Sequence, residues 1–273
     1  MPRSIRPVRV NHMNVVVEDF DASVAHLREL YGAEFMADMP QKEWHACLMN
    51  LGGVLFELFA PHVFLLNARY GPHYLGLEYQ ADLEEVREAI AQRGIRIARD
   101  IGLAVHTHPA DTLGVAFEFY DGSFHEREWP ALGGGRIRPA AFWRDEHPLG
   151  LTGLQGCTLA VDDLEAASAF LEGFLSAEKV SEADRPRIAA RARGLRVADG
   201  VVELLAPTGE GPIAQHLRRY GPGVRSTVFG VRDLAQARRW FEGRGLPPEA
   251  GDAPDSFAAP FAADLGVIFE FRA

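Results

Sequence analysis

The hydrophobic pattern along this chain changes period in a regular order. Residues 8–17 are apolar and β-branched, and Met13, Val15 and Val17 fall on alternate positions, which predicts a strand. Over 23–31 the spacing lengthens, with Val24, Leu27 and Tyr31 at helical intervals, and Asp19 and Asp21 stand ahead of them as N-capping candidates. Short strands are predicted at 34–38, 44–51 and 54–59. The order then restarts with a strand at 73–80, a cap at Asp82, a helix over 83–92 with Val86 and Ile90 inward, and a stop at Arg93-Gly94. Strands follow near 95–98, 104–108 and 115–120. The β-α-β-β-β order thus occurs twice here, and twice more in the second half, with helices near 165–175 and 235–243.

The two halves also share residues. Leu113-Gly-Val-Ala-Phe-Glu-Phe119 returns as Leu265-Gly-Val-Ile-Phe-Glu-Phe271, and Arg69-Tyr-Gly-Pro72 as Arg219-Tyr-Gly-Pro222. Glu57-Leu-Phe-Ala-Pro61 returns as Glu203-Leu-Leu-Ala-Pro207, and Val17-Glu-Asp-Phe20 as Val161-Asp-Asp-Leu164. Four matches in one order at nearly one period describe a duplicated module. The modules span 8–122 and 153–273, and the linker, 123–152, holds Gly133-Gly-Gly135, Pro130, Pro139 and Pro148. Phe142 and Trp143 suggest that this linker packs against the rest of the chain.

Composition narrows the function. With 28 Lys+Arg against 38 Asp+Glu, the formal charge of −10 argues against nucleic acid and a polybasic membrane anchor. Two cysteines, Cys47 and Cys157, make neither a disulfide framework nor a Cys-based zinc site. No apolar run reaches the roughly 18 residues of a membrane span, and the first residues lack the pattern of a secretory signal. The expectation is a cytoplasmic protein of 273 residues that takes a small-molecule substrate, with a homodimer open.

Paired βαβββ units, a His12-x4-Val17-x-Asp19 opening strand, a Glu57-Leu-x-x-Pro61 strand and a closing Phe117-Glu118-Phe119 strand resemble the vicinal oxygen chelate superfamily. That family includes glyoxalases, epimerases, extradiol dioxygenases and antibiotic-resistance proteins. The resemblance covers all but the linker. It implies an α+β fold, in which tandem βαβββ units make two curled mixed sheets with helices outside.

The resemblance also implies a divalent metal (Fe, Zn, Ni, Co or Mn) on four strands of one module. Carried over residue by residue, the ligands are His12, Glu57, a residue opening the fifth strand, and Glu118. For the third place the strand register favours Tyr74, whereas His73 reaches it only through a one-residue bulge; His73 is retained as the candidate. An acid inside Phe-Glu-Phe needs a partner, since burying an unpaired carboxylate is costly. The second module has Gly156 for His12 and Ser226 at the third place while keeping Glu203 and Glu270, so it reads as metal-free, its carboxylates structural or paired with Arg.

The activity implied is that of a glyoxalase-like lyase or isomerase. A small carbonyl substrate loses an α-proton to Glu118, with Glu57 as second proton carrier and the metal stabilising an enolate. Two alternatives stand beside it: an Fe(II)-dependent ring-cleaving dioxygenase built on His12, His73 and Glu118, and a non-catalytic small-molecule binder. His106 and His108 share a strand face as candidates for supporting the site or moving protons, with an exposed pair near a loop the plainer reading; His45 is treated alike. The apolar loop 62–68 is a candidate pocket cover, and the basic run 185–196 reads as solvated surface.

Overall fold

The computed structural model describes residues 2–42, 44–60, 71–124, 137–261 and 265–273. The first repeat runs β1 (Arg9–Val16), α1 (Phe20–Tyr31), β2 (Glu34–Pro40), β3 (His45–Leu51), β4 (Val54–Phe59), β5 (His73–Gln80), α2 (Leu83–Arg93), β6 (Ile97–Asp100), β7 (Ala104–Thr107) and β8 (Ala116–Tyr120). The second runs β9 (Leu151–Ala160), α3 (Leu164–Leu175), β10 (Glu178–Arg185), β11 (Ala190–Val197), β12 (Gly200–Pro207), α4 (Pro212–Tyr220), β13 (Gly223–Val231), α5 (Leu234–Glu242), β14 (Glu249–Ala250), β15 (Phe257–Ala258) and β16 (Ile268–Arg272). Each repeat makes one eight-stranded mixed sheet, in the order β2-β3-β4-β1-β5-β8-β7-β6 and its counterpart β10-β11-β12-β9-β13-β16-β15-β14. The class is the expected α+β.

Local chemistry accounts for the element ends. Asp19, Asp82, Asp163 and Asp233 cap α1, α2, α3 and α5, each accepting from backbone N–H groups of the first turn. Gly94 ends α2 in the left-handed region, where a side chain is disfavoured. Two expectations shift. The strand predicted at 95–98 begins at Ile97, because Ile95 N–H still bonds the helix carbonyl of Ile90 and Arg96 N–H bonds Asp111. Residues Pro212–Tyr220 also form a helix, α4, beyond the two expected near 165–175 and 235–243.

By contacts the chain divides into two compact units. One comprises 1–12, 75–124 and 156–225; the other comprises 13–74, 125–155 and 226–273. Each therefore joins half of one repeat to half of the other. In the first unit, Phe117 and Phe119 of β8 lie 6.3 and 6.0 Å from Phe174 of α3, and Tyr79 of β5 stacks on Phe119. In the second, Phe269 of β16 meets Phe56 of β4 at 5.3 Å, and Phe271 meets Phe241 of α5 at 5.4 Å. The Phe-x-Phe alternation thus puts two rings into each unit's core and turns the intervening glutamate to the opposite sheet face.

The linker packs as its aromatics suggest. Residues Phe142–Glu146 form one π-type turn, Trp143 is fully buried, and His147 lies 4.9 Å from the Trp143 ring. Its glycine run and Pro130, like the loop 62–68, lie outside the described residues. Among the described residues no helix is long and apolar enough to cross a membrane.

Candidate metal centre

The site belongs to the first compact unit and is built by strand register. β5 and β8 run parallel with Glu78 opposite Glu118. β7 lies antiparallel to β8 with His106 opposite Glu118, and β6 places Arg99 opposite His106. Directly opposed residues share a face, so Arg99, His106, Glu118 and Glu78 form one ionisable row. β1 enters beside β5, where Val8 N–H donates to the Gln80 carbonyl, and brings His12 to the same place. His12 Nε2 lies 3.2 Å from Glu78 Oε2, and His106 Nε2 lies 3.2 Å from Glu118 Oε1.

His12, Glu78 and Glu118 each offer one donor atom within 4.8 Å of the others. They are 2%, 1% and 6% exposed. Both oxygens of Glu78 are buried and, among the described residues, neither makes a hydrogen bond of good geometry. Burial pushes the Glu78 carboxyl well above the usual carboxylate range; the Glu118 charge adds to this, and His12 only partly offsets it. Two facing carboxylates with an imidazole, one of them lacking well-formed hydrogen bonds, fit a divalent cation. Burial likewise lowers the His106 pKa, against the pull of Glu118.

The turn after β8 closes one side. The Asn11 amide donates to the Gly122 carbonyl at 3.0 Å and its oxygen accepts from Phe124 N–H at 3.1 Å. This clamp sets the Phe124 ring edge-on against His12, 5.2 Å between centroids.

No protein-family model matches the chain, and no curated protein sequence matches it. Solved structures do. The chain is 15% identical to a mutant of 4-hydroxymandelate synthase from Streptomyces coelicolor, over 97% of this chain and 92% of that one, with a TM-score of 0.74. It is 14% identical to the Mn(II)-bound glyoxalase from Novosphingobium aromaticivorans, over 98% and 82%, with a TM-score of 0.65. A fusion of a xylose isomerase-like TIM barrel with 4-hydroxyphenylpyruvate dioxygenase matches at 13% identity over 99% and 49%, also at 0.65. The chain has the vicinal oxygen chelate fold. At these identities the likeness is one of fold, and the chemistry rests on the residues.

Within this vicinal oxygen chelate fold, His12 and Glu118 come together in one cluster. Glu57 is buried on β4 opposite Leu48, in the second compact unit. His73, also in that unit, bonds the Gly71 carbonyl through Nδ1 at 2.7 Å, and burial lowers its pKa. The Tyr74 hydroxyl donates to the Ile268 carbonyl and accepts from Thr227 N–H, so this phenol inserts beside the β13–β16 ladder. The register equivalent of Ser226 in the first repeat is Gly76, since the two face Ile268 and Ala116, each two residues before its closing glutamate. A Cβ at Gly76 would run into the Ala116 carbonyl oxygen, so no side chain fits there.

Glu78, two residues on and on the same face, is not among the ligands that the sequence resemblance implies. Its signal was present in Leu75-Gly-Leu-Glu-Tyr79, a lone acid in an apolar strand, the same argument that selected Glu118. Of the histidine pair, His106 joins the row, while His108 accepts from Ala110 N–H and caps a short 3-10 turn. His45 contacts Asp38 at 2.6 Å and its ring lies 4.2 Å from that of Phe20.

The second repeat shows what the same frame becomes with other side chains. Its row reads Val228, Glu270, Ala258, Glu249 where the first has Glu78, Glu118, His106, Arg99. Glu270 accepts from Arg272 Nε at 3.0 Å and Ala253 N–H at 3.1 Å, and Glu203 from Arg185 at 2.6 Å. At Gly156, the match to His12, a Cβ would strike the Val201 carbonyl oxygen. Elsewhere in this repeat Ala160, Ala190 and Ala192 pack with Ile213 and Leu217 of α4. Within the basic run, Arg191 and Arg193 pair with Glu182, and Arg193 also with Glu165.

Proposed function

We propose that the chain is a metal-dependent enzyme whose first repeat removes a proton beside the carbonyl of a small-molecule substrate, as a lyase or isomerase of the glyoxalase kind. The Glu78 carboxylate carries this reading, because it is buried beside Glu118 and His12 and, among the described residues, has no well-formed hydrogen bond to either oxygen. His12, Glu78 and Glu118 would hold one divalent cation. Such a cation supplies Lewis acidity, which polarises a carbonyl and acidifies its neighbouring C–H. One imidazole with two carboxylates is a hard, oxygen-rich donor set, of the kind that suits Mn(II) or Fe(II).

Glu118 is the base in this reading, within reach of a substrate placed against the cluster. Phe124 lies against His12 and keeps that side apolar. Glu57 and His73 belong to the other compact unit and are given no step. Ring cleavage by Fe(II) draws on two imidazoles and one carboxylate; the cluster has the reverse ratio, which favours proton transfer.

The test is elemental mass spectrometry of the purified protein beside His12→Ala, Glu78→Gln and Glu118→Ala variants. The expected result is about one divalent metal per chain, lost in all three. An absence of metal, even after reloading under reducing conditions, would overturn the catalytic reading and leave a non-catalytic binder of small molecules.

A further inference from the structure

We propose that His106 positions Glu118 for the cation, holding one carboxylate oxygen so that the other is presented to the His12–Glu78 side. The inference rests on the metal reading above and adds a residue that is not itself in the three-donor cluster. The contact is built into the sheet. His106 and Glu118 are directly opposed on β7 and β8, both are buried, and Nε2 lies 3.2 Å from Oε1.

A glutamate on a strand retains broad rotation about its terminal torsion. Unless one oxygen is held, a cation must immobilise the carboxylate as it binds, and that ordering subtracts from affinity. An imidazole N–H on one oxygen removes this cost in advance and favours binding through a single oxygen, which leaves room for substrate. Partners of this kind typically contribute roughly 10–100-fold to metal affinity.

The second repeat is an internal control. Glu270 keeps its place in the closing strand, but Ala258 stands where His106 would be and Val228 where Glu78 would be. There Arg272 and the Ala253 N–H hold the carboxylate. The frame thus accepts alanine at this position, and the histidine accompanies the second carboxylate in the repeat that has the cluster.

The experiment titrates Mn(II) by electron paramagnetic resonance and records the visible spectrum of the Co(II)-loaded protein for wild type, His106→Ala and His106→Gln. The expected result is roughly 10–100-fold weaker Mn(II) binding by His106→Ala, with altered Co(II) bands. His106→Gln, whose amide N–H can reach Oε1, should recover most of the affinity and the wild-type bands. A His106→Ala protein with wild-type affinity and spectrum would overturn the role of His106 while leaving the metal reading standing. Equal weakening in both variants with a lowered Tm would show support of the strand alone, and would also overturn it. A wild type that binds neither ion would overturn both.

Discussion

At Glu78, burial and a neighbouring carboxylate act in the same direction, and both favour the protonated form. The folded metal-free protein therefore keeps a proton that the unfolded chain releases above the ordinary glutamate value of 4.5. This contribution to stability is complete below that value and is lost as pH rises through the raised one. Glu78→Gln keeps the shape without the charge, so urea unfolding of the metal-free variant across mildly acidic to neutral pH should show a flatter stability profile than wild type. An unchanged profile would mean that Glu78 is ionised without penalty. Two residues earlier, Gly76 is needed because the Ala116 backbone leaves no room for a Cβ. Gly76→Ala should cost about 3 kcal/mol by forcing β5 and β8 apart, read as a lower urea midpoint. An unaltered midpoint would show that the strands separate freely.

At the scale of elements, the same β-strand frame serves two ends according to what stands on it. α4 of the second repeat sets Ile213 among Ala160, Ala190, Ala192 and Leu205. Ile213→Ala should destabilise the protein by about 2–5 kcal/mol through the cavity it leaves, read as a lower urea midpoint; an unchanged midpoint would show that the sheet and helix close over the gap. The linker turn has its own pH signature. His147 lies against Gly32, where an added Cβ would come within 2.8 Å of its Nε2, and burial lowers its pKa to about 4. A histidine with a depressed pKa contributes stability above its ordinary 6.5 that is lost as pH falls through the folded value. Thermal melts between those two values should show a steeper acid loss in wild type than in His147→Gln. Parallel curves would show that the turn opens without cost.

For the whole molecule, a cation that binds the folded chain alone should raise Tm, by about 2.7 kcal/mol of added stability at 100 times Kd. His12→Ala should show no such rise in calorimetry, and an equal rise there would place the cation elsewhere. Element order, caps and duplication were legible from the chain because strand and helix periods, and an aspartate ahead of a helix, are local properties. The facing of His12 and Glu118 was legible too, since alternation along one strand assigns a side chain to a face without reference to any other strand. Which residues stand beside them was not. Glu78 and Glu118 are 40 residues apart in sequence, and only the pairing of β5 with β8 brings them level. The pairing of β7 with β8 likewise raises His106 above His108, and the Ala116 backbone closes position 76 to every side chain. The pattern along a strand chooses the face, but the register between strands distant in sequence chooses the neighbours, and a metal centre is made of neighbours.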